Sequence, residues 1–134
     1  MGAAERFFDT NILLYLLSAD EAKADRAEAE LSSGGVVSVQ VLNEFASVAS
    51  RKLGMSFEEI REALAAIRAV CKLVPIDEAT HDRGLQIAEK YGLSVYDSMI
   101  VAAALLAGCK TLLSEDMQDG QTFDGGLRLR NPFR

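Results

Sequence analysis

Four short apolar runs, each too short for a helix, alternate with longer stretches whose apolar residues recur at helical spacing. The runs are Phe7-Phe8 before Asp9, Val36-Val37-Ser38-Val39, Lys72 to Ile76, and Thr111-Leu112-Leu113-Ser114. Runs of that length suit buried strands, and the stretches between them suit amphipathic helices. Strands that alternate with helices pair in parallel, because the helix carries the chain back to the end it came from. The expected fold is therefore α/β: a three-layer α/β/α sandwich around a mostly parallel central sheet.

Start and stop signals place the helices. Ile12, Leu13, Leu16 and Leu17 give the first helix an apolar face, and Asp20 to Leu31 predicts a second, more exposed helix that stops at Gly34-Gly35. Ser38 caps a third, with Leu42, Phe45, Ala46 and Ala49 on one face and an end near Gly54. Ser56-Phe57-Glu58-Glu59 is a capping box that opens a fourth helix through Ile60, Leu64, Ile67 and Val70. Pro75 puts the third strand at an edge or ends it there. Asp77 opens a helix to Tyr91, with Gly92 as its stop. Ser94-Val95-Tyr96-Asp97 resembles another capping box, leading into an almost wholly apolar helix through Met99, Ile100, Ala103, Ala104 and Leu106. Asp119-Gly120 is a turn signal, and Leu127 to Leu129 offers a last strand.

A chain of 134 residues that is 49% hydrophobic can bury one real core, so residues 1–134 read as a single domain. Its formal net charge of −6 argues against holding nucleic acid by bulk electrostatics. The same balance is compatible with a site that binds a divalent cation, which then meets an anionic substrate. Asp9, Thr10 and Asn11 interrupt the N-terminal apolar region, and no long apolar run follows. No secretory signal or membrane segment is expected, and the cytoplasm is the default compartment. Cys71 and Cys109 have no metal-ligand spacing and read as reduced structural thiols. The sole histidine, His81, lies in a charged helical stretch and reads as surface or cap.

Asp9 stands where the first strand turns into a helix. Open α/β sheets place their ligands at that edge, although an Asp there also serves as a helix cap. Three further acids share its description. Glu44 is early in the helix after the second strand, Asp97 is in the first turn of the apolar helix, and Asp116 follows the fourth strand. Parallel strands bring all four to one edge. Carboxylates gathered there repel unless protonated or bridged by a cation, and oxygen-rich acidic sites suit Mg²⁺ or Mn²⁺.

These residues carry a family resemblance. Phe8-Asp9-Thr10-Asn11, Leu42-Asn43-Glu44-Phe45, Tyr96-Asp97-Ser98-Met99-Ile100-Val101-Ala102-Ala103, Leu113-Ser114-Glu115-Asp116 and the ending Asn131-Pro132-Phe133 together resemble PIN-domain ribonucleases, above all the VapC-type toxins of bacterial toxin–antitoxin pairs. The resemblance spans nearly the whole chain, in family order. It implies a single PIN domain, Mg²⁺- or Mn²⁺-dependent hydrolysis of RNA phosphodiesters, a homodimer, and a cognate antitoxin that blocks the site. Carried over, it makes Asp9, Glu44, Asp97 and Asp116 the metal-binding and catalytic acids. Thr10 and Asn11 would shape the loop, and Ser114 would orient Asp116 or a water. Asp119 is either a fifth acid or a turn residue.

Since bulk charge cannot hold RNA, local cations must. Arg51 and Lys52 end the helix that carries Glu44, and Arg128, Arg130 and Arg134 crowd the C-terminus. Leu14, Tyr15, Phe45 and Val48 look like apolar positions beyond the needs of one small core, available for self-association or antitoxin binding, although Phe45 suits the core equally. Two other readings compete. A catalytically silent PIN-like binding module would have lost the acids. A haloacid-dehalogenase-like phosphatase wants a second Asp where Asn11 stands.

Overall fold

The computed structural model describes residues 2–134. Strand β1 (Arg6–Phe8) leads into a short helix α1 (Thr10–Leu14), a 3-10 turn at Tyr15–Leu17, and helix α2 (Glu21–Ser32). Then come β2 (Gly35–Ser38), α3 (Val39–Arg51), α4 (Phe57–Val70), β3 (Cys71–Val74), α5 (Glu78–Tyr91), α6 (Val95–Leu106), β4 (Thr111–Leu113), β5 (Thr122–Phe123) and β6 (Leu127–Arg130). The caps are those written in the sequence. Asp20 accepts from Ala22 and Lys23, Ser38 from Val41, and the boxes at Ser56/Glu59 and Asp77/Thr80 close in both directions. At Ser94 one half of the expected box forms, the hydroxyl accepting from the Asp97 amide at 3.2 Å.

The sheet runs β3-β2-β1-β4-β6-β5, parallel throughout except for β5, which is antiparallel to β6. From β1 the chain moves outward through β2 to β3, then returns across the sheet to β4 on the other side of β1. Right-handed crossovers therefore put α1 to α4 on one face and α5 and α6 on the other. The packing agrees: α1 lies on α3, α3 and α2 on α4, and α5 on α6. β3 is an edge strand and ends before Pro75, so both readings of that proline hold. The short β5 has no apolar alternation of its own. It forms because Asp124-Gly125-Gly126 turns it back onto β6, with the Asp124 carboxylate held by Arg83 (2.6 Å) and Lys90 (2.8 Å) of α5.

The core is the filling between the layers. Phe7, Phe8, Val37, Val41, Phe45, Val101, Leu112, Leu113, Leu127 and Leu129 are fully buried. Phe45 is therefore core, not free surface, because its place on α3 faces the sheet. Leu14, Tyr15 and Val48 stay half-buried. Helix α6 buries every residue from Ser98 to Ala104, since it lies between the sheet and α5. Cys109 is buried, Cys71 half-buried, and both are free; burial pushes both thiols up to about 11, so they stay protonated. His81 is exposed. Among the described residues no helix is long and apolar enough to cross a membrane.

Candidate active site

The chain leaves the sheet in opposite directions from β1 and β4, and the crevice at such a switch point is where open α/β sheets hold ligands. Phe8 pairs with Leu113, so Asp9 and Ser114 leave the sheet side by side, and the Asp9 amide donates to the Leu113 carbonyl at 2.9 Å. From that point a cleft of about 270 Å³ opens, and Asp9, Glu44, Asp97 and Asp116 all line it, with Thr10, Asn11 and Arg51.

The floor is a network of neutral donors around Asp9, which is only 4% exposed. Its Oδ1 accepts from the Thr10 amide at 2.7 Å, so Asp9 is also the helix cap. Its Oδ2 accepts from the Ser114 hydroxyl at 2.8 Å and, more distantly, from the Asn11 amide at 3.4 Å. Ser114 is fully buried, and its oxygen also receives the Asp116 backbone amide at 3.2 Å. Ser114 thus orients the Asp9 carboxylate directly, and holds Asp116 by its backbone. Asn11 Oδ1 accepts from the Glu115 amide at 3.1 Å, stitching the loop after β1 to the loop after β4. Thr10 donates its hydroxyl to Glu44 Oε2 at 2.6 Å. Gln40, one turn earlier on α3, donates to Glu44 Oε1 at 3.0 Å and to the Tyr96 carbonyl at 3.1 Å, tying α3 to the start of α6. Gln40 is not among the residues expected to form the site; the sequence signal that marks it is its i, i+4 spacing to Glu44.

Burial pushes the Asp9 carboxyl up to about 7; the bonds from Ser114 and Thr10 pull it back, and the charges of Asp116 and Asp97 push it further up. The Asp97 carboxyl is raised in the same way, chiefly by burial, with Ser94 opposing and Asp116 and Glu44 adding to the rise. Among the described residues none of the four acids has a Lys or Arg within salt-bridge distance. A buried carboxylate with like charges beside it and only neutral donors around it is the environment a cation relieves. No three His, Cys, Asp or Glu side chains among the described residues close around a single point. The carboxylate and amide oxygens that line the cleft are donors of the kind hard divalent cations take.

The remaining candidates separate. Asp119 is exposed and its Oδ1 accepts from the Asn131 amide at 2.9 Å, so it acts as a turn residue outside the cleft. Lys52 is exposed beside Arg51. Arg128 pairs with Thr111, the first residue of β4, and so lies toward the sheet end away from the acids. Arg130 reaches Glu30 at 2.9 Å, with Arg6 at 2.6 Å and Arg26 at 3.5 Å on the same carboxylate. Neither Arg128 nor Arg130 lines the cleft.

The PIN domain family model matches residues 6–118. No curated protein matches the sequence. Among solved structures, a toxin–antitoxin complex from Klebsiella pneumoniae has a chain 21% identical, with a TM-score of 0.72 over 95% of this chain and 97% of that one. VapBC2 from Rickettsia felis, solved with a fragment of its promoter DNA, is similar at 17% identity and TM-score 0.67, covering 94% and 97%. The Mycobacterium tuberculosis toxin VapC20, described as cleaving the sarcin–ricin loop, is similar at 20% identity and TM-score 0.65, covering 80% and 86%.

Proposed function

The chain belongs to the PIN-domain family, and from that premise we propose that it is a metal-dependent endoribonuclease and the toxin of a toxin–antitoxin pair. The observation that carries the reading is the meeting of Asp9, Glu44, Asp97 and Asp116 in one cleft, from positions far apart in the chain. Asp9 and Asp116, which share the Ser114 hydroxyl, would hold the ion together with Glu44 and Asp97, which line the same cleft. When bound, Mg²⁺ or Mn²⁺ supplies positive charge to the scissile phosphate and acidifies a water. Asp97, half-buried and with its carboxyl raised above the usual range by that burial, would accept the proton of an attacking water. Asp9, anchored by three neutral donors, keeps its carboxylate in place throughout. Arg51, on the rim, offers the cation that positions the RNA backbone.

Purified protein should cut single-stranded RNA in Mn²⁺ or Mg²⁺ and stop when EDTA is added. Asp9→Asn and Asp97→Asn should each lower the rate about a hundredfold or more while the far-UV circular dichroism stays unchanged. A variant that cuts like the parent would remove that acid from the site.

The partners follow from an apolar cleft of about 340 Å³ beside the acids, lined by Leu14, Tyr15, Leu17, Val48 and the 49% exposed Leu53. A cognate antitoxin covering it would also reach the shared wall at Asn11 and block the acids. The chain is also proposed to form a homodimer in the cytoplasm. Sedimentation at micromolar concentration should show a dimer, and a lone monomer would count against it.

A further inference from the structure

A second cleft, of about 420 Å³, opens on the other side of Glu44 and shares Glu44 and Ser47 with the acid cleft. Its walls differ in chemistry. Val39, Ile76 and Tyr96 make them apolar, and the amides of Gln40 and Asn43 stand among them. Tyr96 is 72% exposed, although it is next in sequence to Asp97 and its backbone is pinned by Gln40. A ring so placed contributes little to the core. Asn43 is exposed and its side chain makes no hydrogen bond among the described residues, so its amide is available to a ligand. The cleft has no Lys or Arg in its walls and has Glu44 as one of them, which disfavours a phosphate and favours a neutral planar group. Its volume lies within the range of small-ligand sites.

We propose that this cleft seats one nucleobase of a single-stranded RNA, stacked on the Tyr96 ring with its edge toward Asn43, while the adjoining phosphate lies over the acids. The proposal rests on the nuclease reading and deepens it. The backbone then runs from Arg51 across the acids, and a base turns out of the strand beyond Glu44. A base held in a duplex cannot turn out in this way without unpairing, so the cleft selects for single strands. Tyr96 is a positioning residue; it fixes which phosphate reaches the acids.

The chain has no tryptophan, so Tyr96→Trp gives a reporter without background. In an Asp97→Asn background with Mn²⁺, a single-stranded oligoribonucleotide should quench its fluorescence. A strand of the same length carrying only the abasic ribose-phosphate backbone should not. In the cleaving protein, Tyr96→Ala should raise KM about 5- to 150-fold with kcat within about twofold, and Tyr96→Phe should recover most of the affinity. Equal quenching by the abasic strand, or a bound oligonucleotide that quenches nothing, would overturn the base site and leave the nuclease reading intact. A fluorescence change on raising protein concentration alone would assign the cleft to a second copy and also overturn it. A parent that neither binds nor cuts RNA would sink the nuclease reading, and this one with it.

Discussion

Asp9 shows how one residue answers two demands. Its carboxylate caps α1 through Thr10, a local role that any strand-to-helix junction could ask of an Asp. It is also buried among other acids, a cost that no cap requires. The consequence is a linkage of definite sign. Its folded pKa of about 7 stands above the ordinary 3.8, so the folded state holds the proton over that window and the unfolded state does not. Stability of the metal-free protein from this group is full below about 3.8 and lost as pH rises toward about 7. Asp97, raised too, adds in the same direction. Thermal melts in EDTA should therefore fall across that range. Mn²⁺ at about 100 times its dissociation constant should restore roughly 2.7 kcal/mol at neutral pH. Asp116→Asn removes one of the repelling charges, so it should melt higher than the parent in EDTA and gain less from Mn²⁺. A parent indifferent to Mn²⁺ together with a variant no more stable in EDTA would dissolve the cluster.

Among the elements, the strands bring the acids into range and the glycines decide how tightly the layers close. At Gly35, where β2 begins, a Cβ would run into the buried Phe8 ring and the Arg6 carbonyl, and neither can retreat. At Gly84 of α5 a Cβ would meet the sulfur and terminal methyl of Met99, the far end of a flexible side chain. Gly35→Ala should then cost about 1–3 kcal/mol and Gly84→Ala less, read as denaturant midpoints at unchanged m-value. The reverse order would mean that α5 sits against α6 more rigidly than Met99 allows. The β5–β6 hairpin was half legible. Leu127 to Leu129 carried the alternation of a strand, whereas the two residues of β5 are too few to carry any, and their pairing depends on Asp124 meeting α5.

At the scale of the molecule, an acidic protein must gather its few available cations at the site. The C-terminal arginines were expected to face RNA. Instead Arg130 joins Arg6 and Arg26 around Glu30, clasping β6, β1 and α2 together, and Arg128 lies toward the far end of the sheet. Arg51→Glu should raise the KM for RNA and flatten its salt dependence. Arg130→Glu should lower the melting temperature with KM unchanged, and Arg128→Glu should leave KM as it was. A salt slope that responds to Arg128 rather than Arg51 would move the RNA path to the other end of the sheet.

The alternation of apolar runs, the caps at Asp20, Ser38, Ser56 and Asp77, and the stop at Gly92 are local signals. Local physics was enough to read from them an α/β chain with parallel strands, and to place Asp9 and Asp116 just past strands and Glu44 and Asp97 early in helices. Whether those acids meet is a matter of strand order, which no local signal encodes. Only with β1 between β2 and β4 do Asp9 and Ser114 leave the sheet together. Phe45, Asp119 and Arg130 were ambiguous for the same reason. An aromatic on α3 is surface or core, an acid in a turn is a ligand or a latch, and an arginine on a strand is a rim cation or a clasp, according to what the rest of the chain brings against it. In this fold the sheet buries Phe45, the Asn131 amide engages Asp119, and Glu30 takes Arg130.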